Sequence, residues 1–131
     1  MLKERLGKEL LYFDGGMGTL LQERGLAPGE LPETWNLSHP DVIREIHRRY
    51  AEAGSDIVLT NTFGANALKF HDEAWSLEEI VRAAVRHVKS AIRDAKREGE
   101  VYTALDIGPT GKLLKPMGIL ILRLHTRRLK K

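Results

Sequence analysis

The sequence predicts an α/β fold with parallel strands. Two patterns predict it. Short apolar runs alternate with longer stretches of helical periodicity, in the order strand, helix, strand, helix, strand. Each apolar run passes directly into a polar block, glycine-rich in most cases. Ligand-handling loops gather in this way at the C-terminal ends of parallel strands. A length of 131 residues suits one domain with a modest core, and 42% hydrophobic against 30% charged residues reads as soluble and globular.

The elements follow in order. Residues 2–9 suit a short amphipathic helix, and Leu10 to Phe13 form an apolar run that stops at Asp14 and two glycines. Residues 15–39 make a long connection containing Pro28-Gly29 and Pro32, in which Gly18 to Arg24 suit a small helix. Ser38 and Pro40 signal the next helix start, with Asp41 at its positive end. Val42, Ile43, Ile46, Tyr50 and Ala53 share one face of that helix, and Gly54 closes it. Asp56 to Thr60 is the second strand, with Asn61 to Gly64 as its exit loop. Ser76 and Glu79 form a capping box before the longest helix. Its apolar stripe runs through Leu77, Ile80, Val81, Ala84, Val85, Val88 and Ile92, and Gly99 is its expected end. Val101 to Leu105 is the third strand, leading into Asp106 to Gly111.

The charge is unevenly placed. Of the 21 lysines and arginines, five lie in residues 119–131, where there is no acid; the remainder of the chain carries 16 against 18 acidic residues. The body is therefore mildly acidic, which argues against a nucleic-acid partner. No apolar run approaches the ~18 residues of a membrane span, and residues 1–6 lack the apolar core of a signal segment. The expectation is a cytoplasmic protein with no membrane or nucleic-acid partner.

Three polar blocks are candidates for chemistry. Glycines at 15, 16 and 18 permit positive φ and a close approach to a ligand, so Asp14 to Thr19 suits a nest of N–H groups for a carboxylate. Asp14 would face an ammonium group, or else bond its local backbone in an ordinary glycine turn. Thr60-Asn61-Thr62-Phe63 suits polar recognition, or a capped turn with Phe63 in the core. Asp106-Ile107-Gly108-Pro109-Thr110-Gly111 leaves the same two readings open. His39, His47, His71, His87 and His125 are scattered without ligand spacing and read as surface or packed residues.

Taken jointly, Asp14 to Thr19, Asn36-Leu37 before Pro40-Asp41, Ala53 to Asn66 and Asp106 to Gly111 resemble the homocysteine S-methyltransferase family, which includes the N-terminal homocysteine-binding module of cobalamin-dependent methionine synthase. The resemblance covers residues 10 to about 118 and is strongest to the methionine synthase branch. It implies a (β/α)8 TIM barrel, of which this chain would supply the first three to four βα units. It also implies methyl transfer to the zinc-activated thiol of homocysteine, with methylcobalamin as donor on another module. A free thiol, with a pKa of about 8.5, is a weak nucleophile while protonated. By the resemblance, Asp14, Gly15, Gly16 and Met17 line the homocysteine pocket, with Asn61, Thr62 and Asp106 on its rim. The family's three zinc-binding cysteines fall in the later half of the barrel. This chain has no cysteine, so no residue of it takes a catalytic or metal-binding role.

The family pattern holds through Met117-Gly118 and then breaks. Residues 119–131 read as an aberrant basic tail and a possible frameshift product. Shifted by one base, a permitted codon set for Ile119 to Lys130 encodes an acidic-start amphipathic helix; the coding DNA decides this. The resulting expectation is a truncated, isolated chain, inactive alone and prone to self-association through open strand edges. Its partners would be homocysteine, the remaining half of the barrel and the other methionine synthase modules. Two alternatives stay open: a non-enzymatic subunit completed by a partner, and a small binding module that works through its basic tail.

Overall fold

The computed structural model describes residues 1–118; the basic tail expected at 119–131, and its frame slip, lie outside the described residues. Within them the chain is an α/β unit with two parallel strands. Strand β1 (Ile57–Leu59) pairs in parallel with β2 (Tyr102–Ala104), in the register Ile57 to Tyr102, Val58 to Thr103 and Leu59 to Ala104. The expected first strand at Leu10–Phe13 is reduced to a single parallel bridge from Phe13 to Ile57. Among the described residues only β1 lies alongside it. The Asp56 carboxylate takes the Tyr12 N–H at 3.0 Å, and Leu10, Tyr12 and Phe13 remain exposed.

Among the described residues there are six helical segments. Helix α1 (Leu2–Arg5) is shorter than the expected 2–9, because Gly7 turns the chain at φ +76°. Arg5 reaches from it to Asp56 at 3.0 Å and to Glu9 at 2.7 Å, which docks the N-terminal segment beside β1. Helix α2 (Gly18–Glu23) lies where the glycine-rich connection predicts a small helix. The rest of that connection is more regular than its composition suggests: a 3-10 turn (Pro32–Thr34) runs into α3 (Trp35–Ser38). Trp35 is buried and stacks on His39 at 4.0 Å between ring centroids. Ser38 therefore ends α3 instead of capping the next helix.

Helix α4 (Pro40–Glu52) starts with proline in its first turn and is closed by Gly54 at φ +110°, as expected. Helix α5 (Leu77–Asp94) carries the capping box: the Glu79 N–H donates to Ser76 Oγ at 3.3 Å, and the Ser76 N–H donates to Glu79 Oε2 at 2.9 Å. Its buried face is Ile80, Ala83, Ala84, Val88, Ala91 and Ile92. The stripe is thus rotated, with Ala83 and Ala91 brought into the core while Val81 and Val85 are only half-buried. Helix α5 also stops at Asp94, short of Gly99, because Lys96 already takes the left-handed conformation at φ +56°.

Helices α4 and α5 pack against each other, and α5 packs on the sheet through Val58, Val88, Ile92 and Val101. A second cluster of Leu21, Leu26, Trp35, Ile43 and Ile46 joins α2, α3 and α4. Arg97, in the turn after α5, donates to the carbonyls of Ala51 at 2.7 Å and Ser55 at 3.0 Å. It thereby ties the turn after α5 to the end of α4 and the approach to β1. Among the described residues no helix is long and apolar enough to cross a membrane.

Candidate functional site

Parallel strands send their exit loops to one edge of the sheet, and here that edge carries a cavity of about 310 Å³. Asp14, Gly15, Gly16, Met17, Asn61, Thr62 and Asp106 all line it. The structure thus brings together every site residue singled out in the sequence, from three loops up to 92 positions apart in the chain numbering between Asp14 and Asp106. Pro32, Glu33, Thr60 and Phe63 complete the wall.

Asp14 follows the Phe13 bridge. Its Oδ2 accepts the Leu59 N–H at 3.1 Å, while its buried Oδ1 has no hydrogen-bond partner among the described residues. Burial pushes its pKa up to about 6; the Leu59 N–H opposes this, and the negative charge of Asp106 adds to it. A half-buried carboxylate with one spare oxygen is a natural partner for a cationic ligand group.

The glycine turn works differently from the nest expected of it. None of Gly15, Gly16 and Gly18 has positive φ, so the alternating-handed backbone that a nest requires is absent there. Gly15 is required for space. A Cβ at that position would lie 2.8 Å from the Tyr50 hydroxyl, which donates to the Gly16 carbonyl at 2.8 Å. Tyr50, on α4, thus holds the turn in place, and burial and the Asp14 charge keep its phenol protonated beyond the usual range. Among the described residues no protein acceptor takes the N–H groups of Gly15, Gly16 or Gly18.

The second and third loops are tied together by hydroxyls. Thr60 Oγ1 and Thr62 Oγ1 lie 2.6 Å apart; Thr62 Oγ1 donates to the Asp106 carbonyl at 2.7 Å, and the Asp106 N–H donates to Thr60 Oγ1 at 3.1 Å. The Thr62 hydroxyl is therefore committed to the wall. Asn61 is buried too: its amide donates to the Pro32 carbonyl at 2.8 Å, and its own carbonyl accepts from the Asn36 amide at 2.8 Å. Phe63 is exposed at the cavity, not packed in the core.

Glu33 is the residue that sequence reasoning missed. It is 4% exposed and its Oε1 accepts the Gly64 N–H at 2.6 Å. A charged residue in a proline-containing connection gives no pattern to find, because its burial is decided by the loop arriving from β1. Asp14, Glu33 and Asp106 make the cavity acidic, and among the described residues no lysine, arginine or histidine lines it. Among the described residues no group of three or more His, Asp or Glu side chains is placed to hold a metal ion. His47 and His87 lie on α4 and α5, away from the cavity.

Comparison with known proteins bears on what this cavity belongs to. The family model described as homocysteine S-methyltransferase matches residues 11–129. Methionine synthase of Mycobacterium leprae is 43% identical over 54% of this chain and 6% of its own length. Methionine synthase of Mycobacterium tuberculosis is 40% identical over 86% of this chain and 10% of its own length. The chain thus spans a tenth or less of these two curated relatives. Among solved structures, the oxidized form of the homocysteine methyltransferase MmuM from Escherichia coli aligns with a TM-score of 0.69 at 26% identity, over 84% of this chain and 41% of that one. Its metallated form aligns with a TM-score of 0.68 at 26% identity, over 84% and 42%.

Proposed function

Because the chain belongs to the homocysteine S-methyltransferase family, we propose that its cavity is the amino-acid end of a site that methylates homocysteine to methionine. The described α/β unit is then the opening part of a (β/α)8 barrel. In the methionine synthase type the methyl group comes from methylcobalamin carried on another module, outside this chain.

The observation that carries the reading is the convergence of three strand-exit loops on one acidic cavity with a spare oxygen on Asp14. Asp14 receives the ammonium group of homocysteine. The N–H groups of Gly15, Gly16 and Gly18, which have no protein acceptor among the described residues, receive its carboxylate. Asn61, Thr62 and the Asp106 backbone hold the wall that orients the side chain. In the reaction the thiol gives up its proton, the sulfur forms a bond to the methyl carbon, and the bond from that carbon to its donor breaks.

The residues present do not fit the family's zinc. The chain has no thiol, and its cavity carboxylates are not gathered into a donor set. These residues bind and orient the amino acid, while activation of the sulfur requires groups beyond them. The isolated 131-residue chain is accordingly inactive in methyl transfer, although it retains affinity for the amino-acid portion of its substrate.

Calorimetric titration with homocysteine and with methionine tests this. Both are expected to bind at pH 7.5, and Asp14→Asn is expected to weaken them about tenfold, the loss of one charge-assisted hydrogen bond. Affinity is expected to fall below pH 6 as Asp14 takes up its proton. Equal affinity in parent and Asp14→Asn would overturn the assignment.

A further inference from the structure

The geometry points to a second ligand site, an anion-binding groove between α4 and α5 that takes a phosphate-class anion. It is about 350 Å³ in volume and is lined by Arg44, Arg86, His87, Lys89, Ser90 and Arg93. It lies on different elements from the acidic cavity and shares no residue with it.

Three observations carry the inference. The first is charge without compensation. Other arginines on these helices have an acid one turn away: Arg44 pairs with Asp41, Arg48 with Glu52, Arg49 with Glu45 and Arg82 with Glu78. Between Glu79 and Asp94 the sequence has four cations and no acid. Among the described residues Arg86, Lys89 and Arg93 make no salt bridge. The favourable field at a helix C-terminus reaches only its last turn, so it accounts for Arg93 but not for Arg86.

The second is shape. Arg86 and Arg93 are two turns apart on α5, about 10 Å along the axis, with Lys89 and Ser90 between them. Arg44 faces them from α4. Guanidinium forks with an ammonium and a hydroxyl in one concavity suit phosphate oxygens, and the two-turn span between long side chains suits a diphosphate.

The third is His87, at the floor of the groove. One ring nitrogen lies 2.6 Å from the Asn36 carbonyl of α3. Burial holds its pKa below the ordinary value, and the positive charges of Arg44 and Arg86 lower it further, against Asn36 and the Asp41 carboxylate, which raise it. The positive charges of Arg44 and Arg86 thus weigh against one more proton on His87, and an anion bound among Arg44, Arg86, Lys89 and Arg93 opposes that effect.

The test uses the full chain at constant ionic strength, titrated with inorganic phosphate, pyrophosphate and ADP against sodium chloride. Saturable NMR shifts of His87 and of α5 amides are expected, together with an upward shift of the His87 titration midpoint. In the double variant Arg86→Gln/Arg93→Gln, affinity is expected to drop at least tenfold. In the charge-matched control Lys8→Gln/Lys112→Gln it is expected to stay within twofold. Pyrophosphate binding more tightly than ADP identifies the free anion as ligand, whereas equal binding identifies a phosphoester. Non-saturable shifts with all three anions, or equal losses in both double variants, overturn the proposal.

Discussion

Replacing His47 by leucine is expected to remove a large part of this protein's acid sensitivity between pH 6.5 and 4. His47 lies on the inward face of α4 with no exposure, and neither ring nitrogen has a hydrogen-bond partner among the described residues. Burial, together with the positive charge of His87, lowers its pKa to about 4. Unfolding returns the ring to water, where it takes a proton near pH 6.5. Between those values the unfolded chain binds the proton and the folded one does not. Stability is therefore whole above pH 6.5 and falls as the pH drops toward 4, by roughly 3 kcal/mol at 1.36 kcal/mol per pH unit. Asp14 acts in the opposite sense: its folded pKa of about 6 lies above the usual carboxylate value, so its contribution improves as the pH falls from 6 toward 4. Comparing parent and His47→Leu at each pH cancels the Asp14 effect, since the two residues share no hydrogen bond. Urea melts at half-unit steps from pH 7.5 to 4.5 should show the variant's advantage widening as the pH falls. At pH 7.5 the variant should already lead by about 1 kcal/mol, because leucine leaves no unpaired ring nitrogen in the core. Parallel pH profiles for the two proteins would refute the reasoning, as would a His47 resonance titrating near 6.5.

Two further substitutions probe the cavity wall. Gly15→Ala places a methyl 2.8 Å from the Tyr50 hydroxyl and is expected to cost about 2 kcal/mol; Tyr50→Phe should recover part of that loss, so a thermal-melt double-mutant cycle that adds without coupling would contradict the contact. Thr62→Val keeps the shape but strands the Asp106 carbonyl and the Thr60 hydroxyl; it is expected to cost about 1–3 kcal/mol in urea denaturation, and a neutral result would mean that the two loops are not joined there.

Much of this was legible in the sequence, and the failures have physical causes. Helix α5 was readable from Ser76 and Glu79, because a capping box is a local device, and Gly54 marked the end of α4 for the same reason. The convergence of Asp14, Asn61 and Asp106 follows from parallel strands, whose exit loops must share an edge. Leu10 to Phe13 was misread as a full strand because its apolar pattern carries no record of whether the chain beside it supplies a second neighbour. Gly15 and Gly16 permit positive φ but neither adopts it, and Gly15 is dictated by a tyrosine 35 positions away in the numbering. Glu33 is not legible because its burial depends on a partner in the β1 exit loop, and no periodicity records such a partner.

The Arg97 clasp limits how this chain can be cut. Its guanidinium belongs to the segment leading into β2, while both carbonyls that it holds belong to the end of α4 and the approach to β1. A circular permutant or split-protein design that opens the backbone between residues 60 and 95 leaves the clasp intact only if both pieces stay bound. A design that discards the later piece removes that tie from the end of α4 and leaves the Ser55 carbonyl without the Arg97 donor. Dissection is safer in the exposed stretch after Gly108, where among the described residues no comparable side chain spans the cut.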